Sequence, residues 1–178
     1  MNSNDEFARE LFEDSKVSLS RAISESDQIA QQRHLRHALL SGFSFLELQI
    51  DLIAQHFTDN KFFTLHERGI INQREIVFEK GAFRMKSGQK FSRLGDRMLL
   101  FQHKFKGSKL SERAWWNALS NATDRRNSVA HPREVVFLEA SDVAEDLQAI
   151  ISCANDLFAI VFGKGLPYAS LGIKPKLA

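Results

Sequence analysis

Seven apolar side chains, Leu35, Leu39, Phe43, Leu46, Ile50, Ile53 and Phe57, recur every three or four positions within residues 28–57. That spacing matches the helical period and sets them on one continuous stripe of a long α-helix. A stripe of this length must be covered by helices of similar length, so an antiparallel bundle is the expected architecture. The sequence Ser24-Glu25-Ser26-Asp27 just before it has the chemistry of a helix break and N-cap.

The remaining segments supply partners for that stripe. Residues 5–24 predict a first helix with Phe7, Leu11, Leu19 and Ile23 on one side and acids in its first turns. Residues 58–88 are the least regular. Within them, Ile76-Val77-Phe78 and Ala82-Phe83-Arg84-Met85 flank Glu79-Lys80-Gly81, which predicts a small β-hairpin near residues 74–86 inserted between helices. A helix capped near Ser92 should run to about Phe105 and stop at Gly107. Another, capped by Ser111, should carry Trp115, Leu119 and Ala122 down to Arg126. Val135–Leu138 suggests an extended piece. Ser141 then caps a last helix burying Val143, Leu147, Ile150, Ala154, Leu157 and Val161, with Gly163 as its stop. The expected fold is all-α: one domain over 1–178, an antiparallel bundle of four to five helices with its core at about 28–163, and a flexible tail at 164–178.

Composition narrows the function classes. Cys153 is the single cysteine, so no intrachain disulfide forms and a reducing, cytoplasmic setting is expected. No apolar run approaches membrane-spanning length, and the polar, acidic N-terminus is unlike a signal peptide. The net charge of +2 hides an asymmetry. Residues 61–133 hold sixteen Lys and Arg against six Asp and Glu, whereas the rest of the chain holds eight against sixteen. A basic middle third argues for a polyanionic partner, with a merely solvated basic face as the plainer reading.

The chemistry concentrates in Arg126-Asn127-Ser128-Val129-Ala130-His131-Pro132. A permanent cation, a carboxamide and an imidazole suit phosphate chemistry. On an unbroken helix Arg126 and His131 would point to different faces, but Pro132 disfavours helical geometry at the residue before it. The expectation is that Arg126 closes one helix, His131 stands on the following turn, and the two converge on one spot. The competing reading is an ordinary helix end: an Arg favouring the dipole, an Asn terminating the helix and a His-Pro turn.

This string resembles the signature of the HEPN superfamily, in which an Arg is followed by four to six residues and then His, with a polar residue directly after the Arg. Here four residues intervene and the polar residue is Asn127. The position before a long final amphipathic helix is also that of the family, and the resemblance spans most of residues 28–163. It implies a two-fold homodimer that brings two motifs over one cleft and cleaves RNA through its 2′-hydroxyl without metal or cofactor. By the same resemblance His131 is the general acid or base, Arg126 grips and stabilises the phosphate, and Asn127 orients the turn or the imidazole. Glu47, on the stripe helix, corresponds to an acid that often braces the family's site, although a solvated helix charge is the reading favoured for it. Arg125 and Arg133 bracket the motif as RNA-backbone contacts or plain surface charge. Some family members carry a tyrosine two positions after the histidine that partner nucleotidyltransferases modify. This chain has Arg133 there, which puts that form of control in doubt.

The expected function is therefore a toxin or phage-defence endoribonuclease, with an antitoxin or defence-system protein as a further partner. The alternative is a non-catalytic dimer that binds RNA, a nucleotide or a protein. A third is a helical oligomerisation domain in which the motif is only a helix terminus. Other signals are weaker. His34 and His37 lie one turn apart without a third metal ligand beside them. Ser128 lacks the glycines of a nucleophile elbow. Of Trp115 and Trp116, one is expected in the core and the other at an interface. Gly163-Lys164-Gly165 lacks the context of a phosphate-binding loop and serves as a helix stop.

Overall fold

Asp27 starts the longest helix, its carboxylate accepting the Ile29 N–H at 2.9 Å. In the computed structural model, which describes residues 3–58, 61–90, 93–169 and 172–174, this helix is the centre of the bundle. The order is α1 (Ser3–Ser24), α2 (Gln28–Gln55), α3 (Leu65–Ile71), β1 (Arg74–Glu79), β2 (Ala82–Gln89), α4 (Leu94–Lys104), α5 (Trp116–Ala130) and α6 (Ala140–Phe162). The chain is mostly helical with a small antiparallel hairpin, as the patterning predicted. The helix beyond the expected four or five is α3, one short element in the least regular stretch. Its start has a sequence signature: Thr64 accepts the Glu67 N–H while the Glu67 carboxylate accepts the Thr64 N–H, a capping box. No helix among the described residues is long and apolar enough to cross a membrane.

The α2 stripe is buried as read, with Leu35, Leu39, Phe43, Leu46, Ile50 and Ile53 in the core and Phe57 half-buried. Burial extends further round the helix, to Ala38, Gly42, Phe45, Gln49 and Ala54, because α1 covers one flank and α6 the other. A Cβ on Gly42 would come within 2.5 Å of the Leu147 side chain, so this glycine allows α2 and α6 to approach closely. The buried face of α1 is rotated from the expected one. Ala8, Phe12, Ser15, Leu19 and Ala22 face inward, while Phe7 and Ile23 are exposed. Small residues at alternate contact positions bring α1 close to α2, and that closeness outweighs burying two more large side chains.

The remaining boundaries shift for local reasons. The hairpin turns through Lys80 (φ 52°) and Gly81 (φ 79°), two left-handed residues that match strand twist in a two-residue connection. Ser92 lies outside the described residues, and α4 begins after Arg93, which makes no side-chain cap. Ser111 sits in a 3-10 turn (Leu110–Glu112), so α5 starts only at Trp116. Ser141 falls inside the first turn of α6 rather than at its cap. The helix stop at Gly163 is as read, at φ 72° with its N–H on the Ala159 carbonyl. The tail is not loose through its first residues: Leu166 is buried and donates to Asn155, and Tyr168 accepts from Gln49 at 2.8 Å. Residues 175–178 lie outside the described residues.

Two polar anchors fix the elements that matter for the site. Arg97 on α4, 2 % exposed, donates to the Ile71 carbonyl at 2.7 and 3.1 Å and to the Asp51 carboxylate on α2. It ties the end of α3, and hence the root of the hairpin, to the central helix. The segment after Pro132 was expected to be extended, yet it joins no sheet. Gln32 of α2 instead donates to the Leu138 carbonyl at 2.8 Å and accepts the Leu138 N–H at 2.9 Å, supplying the pairing a strand would have given. Replacing Gln32 by Leu orphans two buried backbone groups, so a loss of about 1–3 kcal/mol is expected. Urea denaturation reads that loss, and faster hydrogen exchange at the Leu138 amide localises it. An unchanged midpoint would mean water replaces the clamp at no cost.

Candidate functional site

Helix α5 carries Arg126 and Asn127 near its C-terminal end and presents them to α2 and α4. The Arg126 guanidinium donates to Glu47 of α2 at 3.1 Å and to the Asn127 side-chain carbonyl at 3.2 Å. It also lies over the face of Phe43, 6.0 Å from the ring centre. The favoured sequence reading left Glu47 as a solvated charge, yet it meets Arg126 across 79 positions of sequence. The two belong together because Phe43 and Glu47 stand one turn apart on α2, one beneath the guanidinium and the other beside it.

These residues border a cleft of about 670 Å³ between α2, α4 and α5. Its apolar wall includes Phe43, Leu94, Met98, Trp116 and Leu119, and its polar rim includes Arg93, Asp96, Asp124, Arg126 and Asn127. One tryptophan lies in the core, as expected. Trp115 is buried with its indole N–H on Asp156 at 2.8 Å, and Trp116 faces the cleft. Lining guanidiniums and carboxylates balance: Arg93, Arg97 and Arg126 against Glu47, Asp96 and Asp124. Arg97 is already committed to Asp51 and Ile71.

Helix α5 does not end at Arg126. It continues to Ala130, and His131 is its C-cap, with φ −130° and ψ 63° and its N–H on the Asn127 carbonyl at 2.9 Å. Pro132 forces that departure one residue before itself, as expected, but the helix keeps its course for four residues past Arg126. The expected convergence is therefore not made within one chain. His131 is exposed, does not line the cleft, and makes no side-chain hydrogen bond or ion pair among the described residues. Ser128 bonds locally to the Asp124 carbonyl. Beyond His131 a shallow groove is lined by Arg36, Ser128, Val129, Pro132, Arg133, Glu134, Val135 and Val136, two cations and one acid among them. Arg133 has no ion pair among the described residues and shares this groove with Arg36. Sequence reasoning missed Arg36, although it stands in the basic run Arg33-His34-Leu35-Arg36-His37. His37 accepts or donates at 2.8 Å with Ser18, and no cluster of three metal-ligating side chains occurs among the described residues.

Arg125 departs from its expected role. Its guanidinium grips Asp146 of α6 with two bonds, 2.9 and 2.5 Å, and lies 3.8 Å from Asp142. It joins α5 to α6 rather than reaching for a polyanion. Burial pushes the Asp146 carboxyl above the usual range, while the Arg125 hydrogen bonds pull it back. Folding thus favours the protonated acid, and the cost of ionised Asp146 grows as pH rises through its folded-state pKa. No family model matches the chain, and no curated protein or solved structure matches it either.

Removing the guanidinium leaves a charge stranded in the core. Arg125→Met should destabilise by about 3 kcal/mol, the lower end for a broken buried pair because Arg125 is partly solvated. The deficit against wild type should be largest where Asp146 is ionised and shrink as pH falls and Asp146 takes up a proton. Thermal melts of both proteins at successively lower pH check it. A deficit that stays constant with pH would show that Asp146 is not the group responsible.

Proposed function

We propose that this chain is a metal-independent endoribonuclease of the HEPN type that works as a homodimer. The observation that carries the reading is the Arg126–Glu47 bridge on the rim of a cleft, with Asn127 bonded to the same guanidinium. A guanidinium oriented by a carboxylate, a carboxamide and an aromatic face is pre-positioned to receive a phosphate. His131, exposed and free of hydrogen-bond partners among the described residues, is available to move a proton. A two-fold axis near the end of α5 brings the imidazole of one chain toward the cleft rim of the other. Two histidines then divide the work: one takes the 2′-hydroxyl proton, the other protonates the departing 5′-oxygen. Arg126 stabilises the phosphorane, while Arg133 and Arg36 supply backbone contacts. The setting that follows from this reading is a cytoplasmic toxin or defence effector restrained by a partner protein.

A second reading is favoured by the charge balance of the cleft and by the lack of any group that orients His131 within one chain. Here the dimer binds RNA, a nucleotide or a protein without cutting it.

Cleavage of single-stranded RNA in excess chelator, with cyclic-phosphate ends on the products, is the expected result. His131→Ala should lower the rate by about 100-fold or more while leaving the thermal midpoint unchanged. Binding of intact RNA with no product would favour the second reading. Equal residual activity in the variant would trace the cutting to a contaminant.

A further inference from the structure

The hairpin is rooted at the cleft and ends in exposed aromatic rings. Gln73, at φ 52°, lines the cleft and leads directly into β1. In the register Ile76 opposes Met85 and Phe78 opposes Phe83, so these four share one face of the ribbon. The half nearest the root leans on α3: a Cβ on Gly69 would come within 2.8 Å of Ile76. Toward the tip this support runs out. Phe78 is 66 % exposed and Phe83 56 %, their ring centres 5.1 Å apart, with only the rim of His66 against Phe83 at 5.2 Å.

Two exposed phenylalanines at the free end of a two-stranded ribbon are costly to keep in water. Residues 74–90 also hold five Lys and Arg against two Glu. Arg74 is engaged by the Ser87 carbonyl and Lys86 by Glu79, whereas Lys80 in the turn has no ion pair among the described residues; neither has Arg84, which opposes Val77 and so stands on the reverse face of the ribbon. Exposed rings on one face, with a cation in the turn beside them and another on the reverse face, suit an unpaired polynucleotide, since every base has a π-face and every linkage a negative charge. An acidic protein surface would satisfy the cations but not specifically the flat rings.

We propose that the outer part of this hairpin is a stacking platform for single-stranded RNA. Phe78 and Phe83 receive bases, Lys80 in the turn supplies charge for the phosphates beside them, Arg84 adds charge from the reverse face, and the strand runs from there along Gln73 to the cleft. The proposal rests on the RNA reading above for the identity of the polymer, and not on cleavage.

The test uses the full chain and a fluorescent single-stranded 2′-O-methyl oligonucleotide of about 12 residues, which lacks the attacking hydroxyl. The double variant Phe78→Leu/Phe83→Leu keeps apolar surface but removes both rings. It should bind about tenfold more weakly or worse, while Phe83→Trp retains affinity. Lys80→Gln/Arg84→Gln should lower the salt slope by about two. A duplex of the same sequence should be indifferent to the Leu pair, because its bases are already stacked. Wild-type affinity in the Leu pair overturns the proposal, as does wild-type protein that binds no RNA. A Leu pair that changes only the concentration dependence of dimerisation also overturns it and marks the face as a contact between copies. Platform-dependent binding without cutting of unmodified RNA would remove the nuclease reading and leave the platform standing.

Discussion

Burial of α2 on two flanks is the constraint from which the rest of the structure follows. A helix covered by α1 on one side and α6 on the other has no freedom to rotate, since a turn of one residue moves every side chain by about 100°. Its residual faces are therefore fixed as well. Phe43 and Glu47 are held toward α5, Asp51 toward Arg97 on α4, and Gln32 toward Leu138. Each is a polar or aromatic contact made by a helix whose orientation apolar burial has already decided. The site thus inherits its precision from the core.

The same angular step explains why two adjacent arginines do unrelated things. Arg125 and Arg126 are neighbours in sequence but differ by about 100° around α5. One faces α6 and locks Asp146; the other faces α2 and meets Glu47. The inward pairing has the greater structural weight, because Asp146 is fully shielded and its partner cannot be lost cheaply. The outward pairing joins two half-exposed groups and contributes little to stability. Arg126 is therefore the more readily re-partnered of the two, its carboxylate being half-exposed where that of Arg125 is fully shielded.

What the sequence made legible follows the range of the interactions involved. Periodicity found α2, the hairpin and α6, because each is encoded by side chains a few positions apart. It misjudged the inward face of α1, since the choice of Ala8 and Ala22 over Phe7 and Ile23 depends on how closely α2 approaches. Serines at 111 and 141 looked like caps by type, but caps are decided by where the tertiary fold starts a helix. The motif itself stood out. Its partners did not: the Glu47 contact spans 79 positions, and the Arg125–Asp146 pair spans 21 between two helices whose relative roll no local pattern specifies.

The break at Pro132 bears most directly on chemistry. If the helix ended at Arg126, the imidazole would have been free to fold back over the guanidinium. Four more helical residues and a capping bond from His131 to Asn127 carry it instead to the end of the rod. A single chain then holds its cation on the side of α5 and its titratable group at the tip, next to Arg133 and the groove shared with Arg36. The guanidinium therefore borders the cleft and the imidazole does not. Separation within the chain is what the proposed nuclease reading has to bridge with a second copy, and it leaves the imidazole without a hydrogen-bond partner among the described residues.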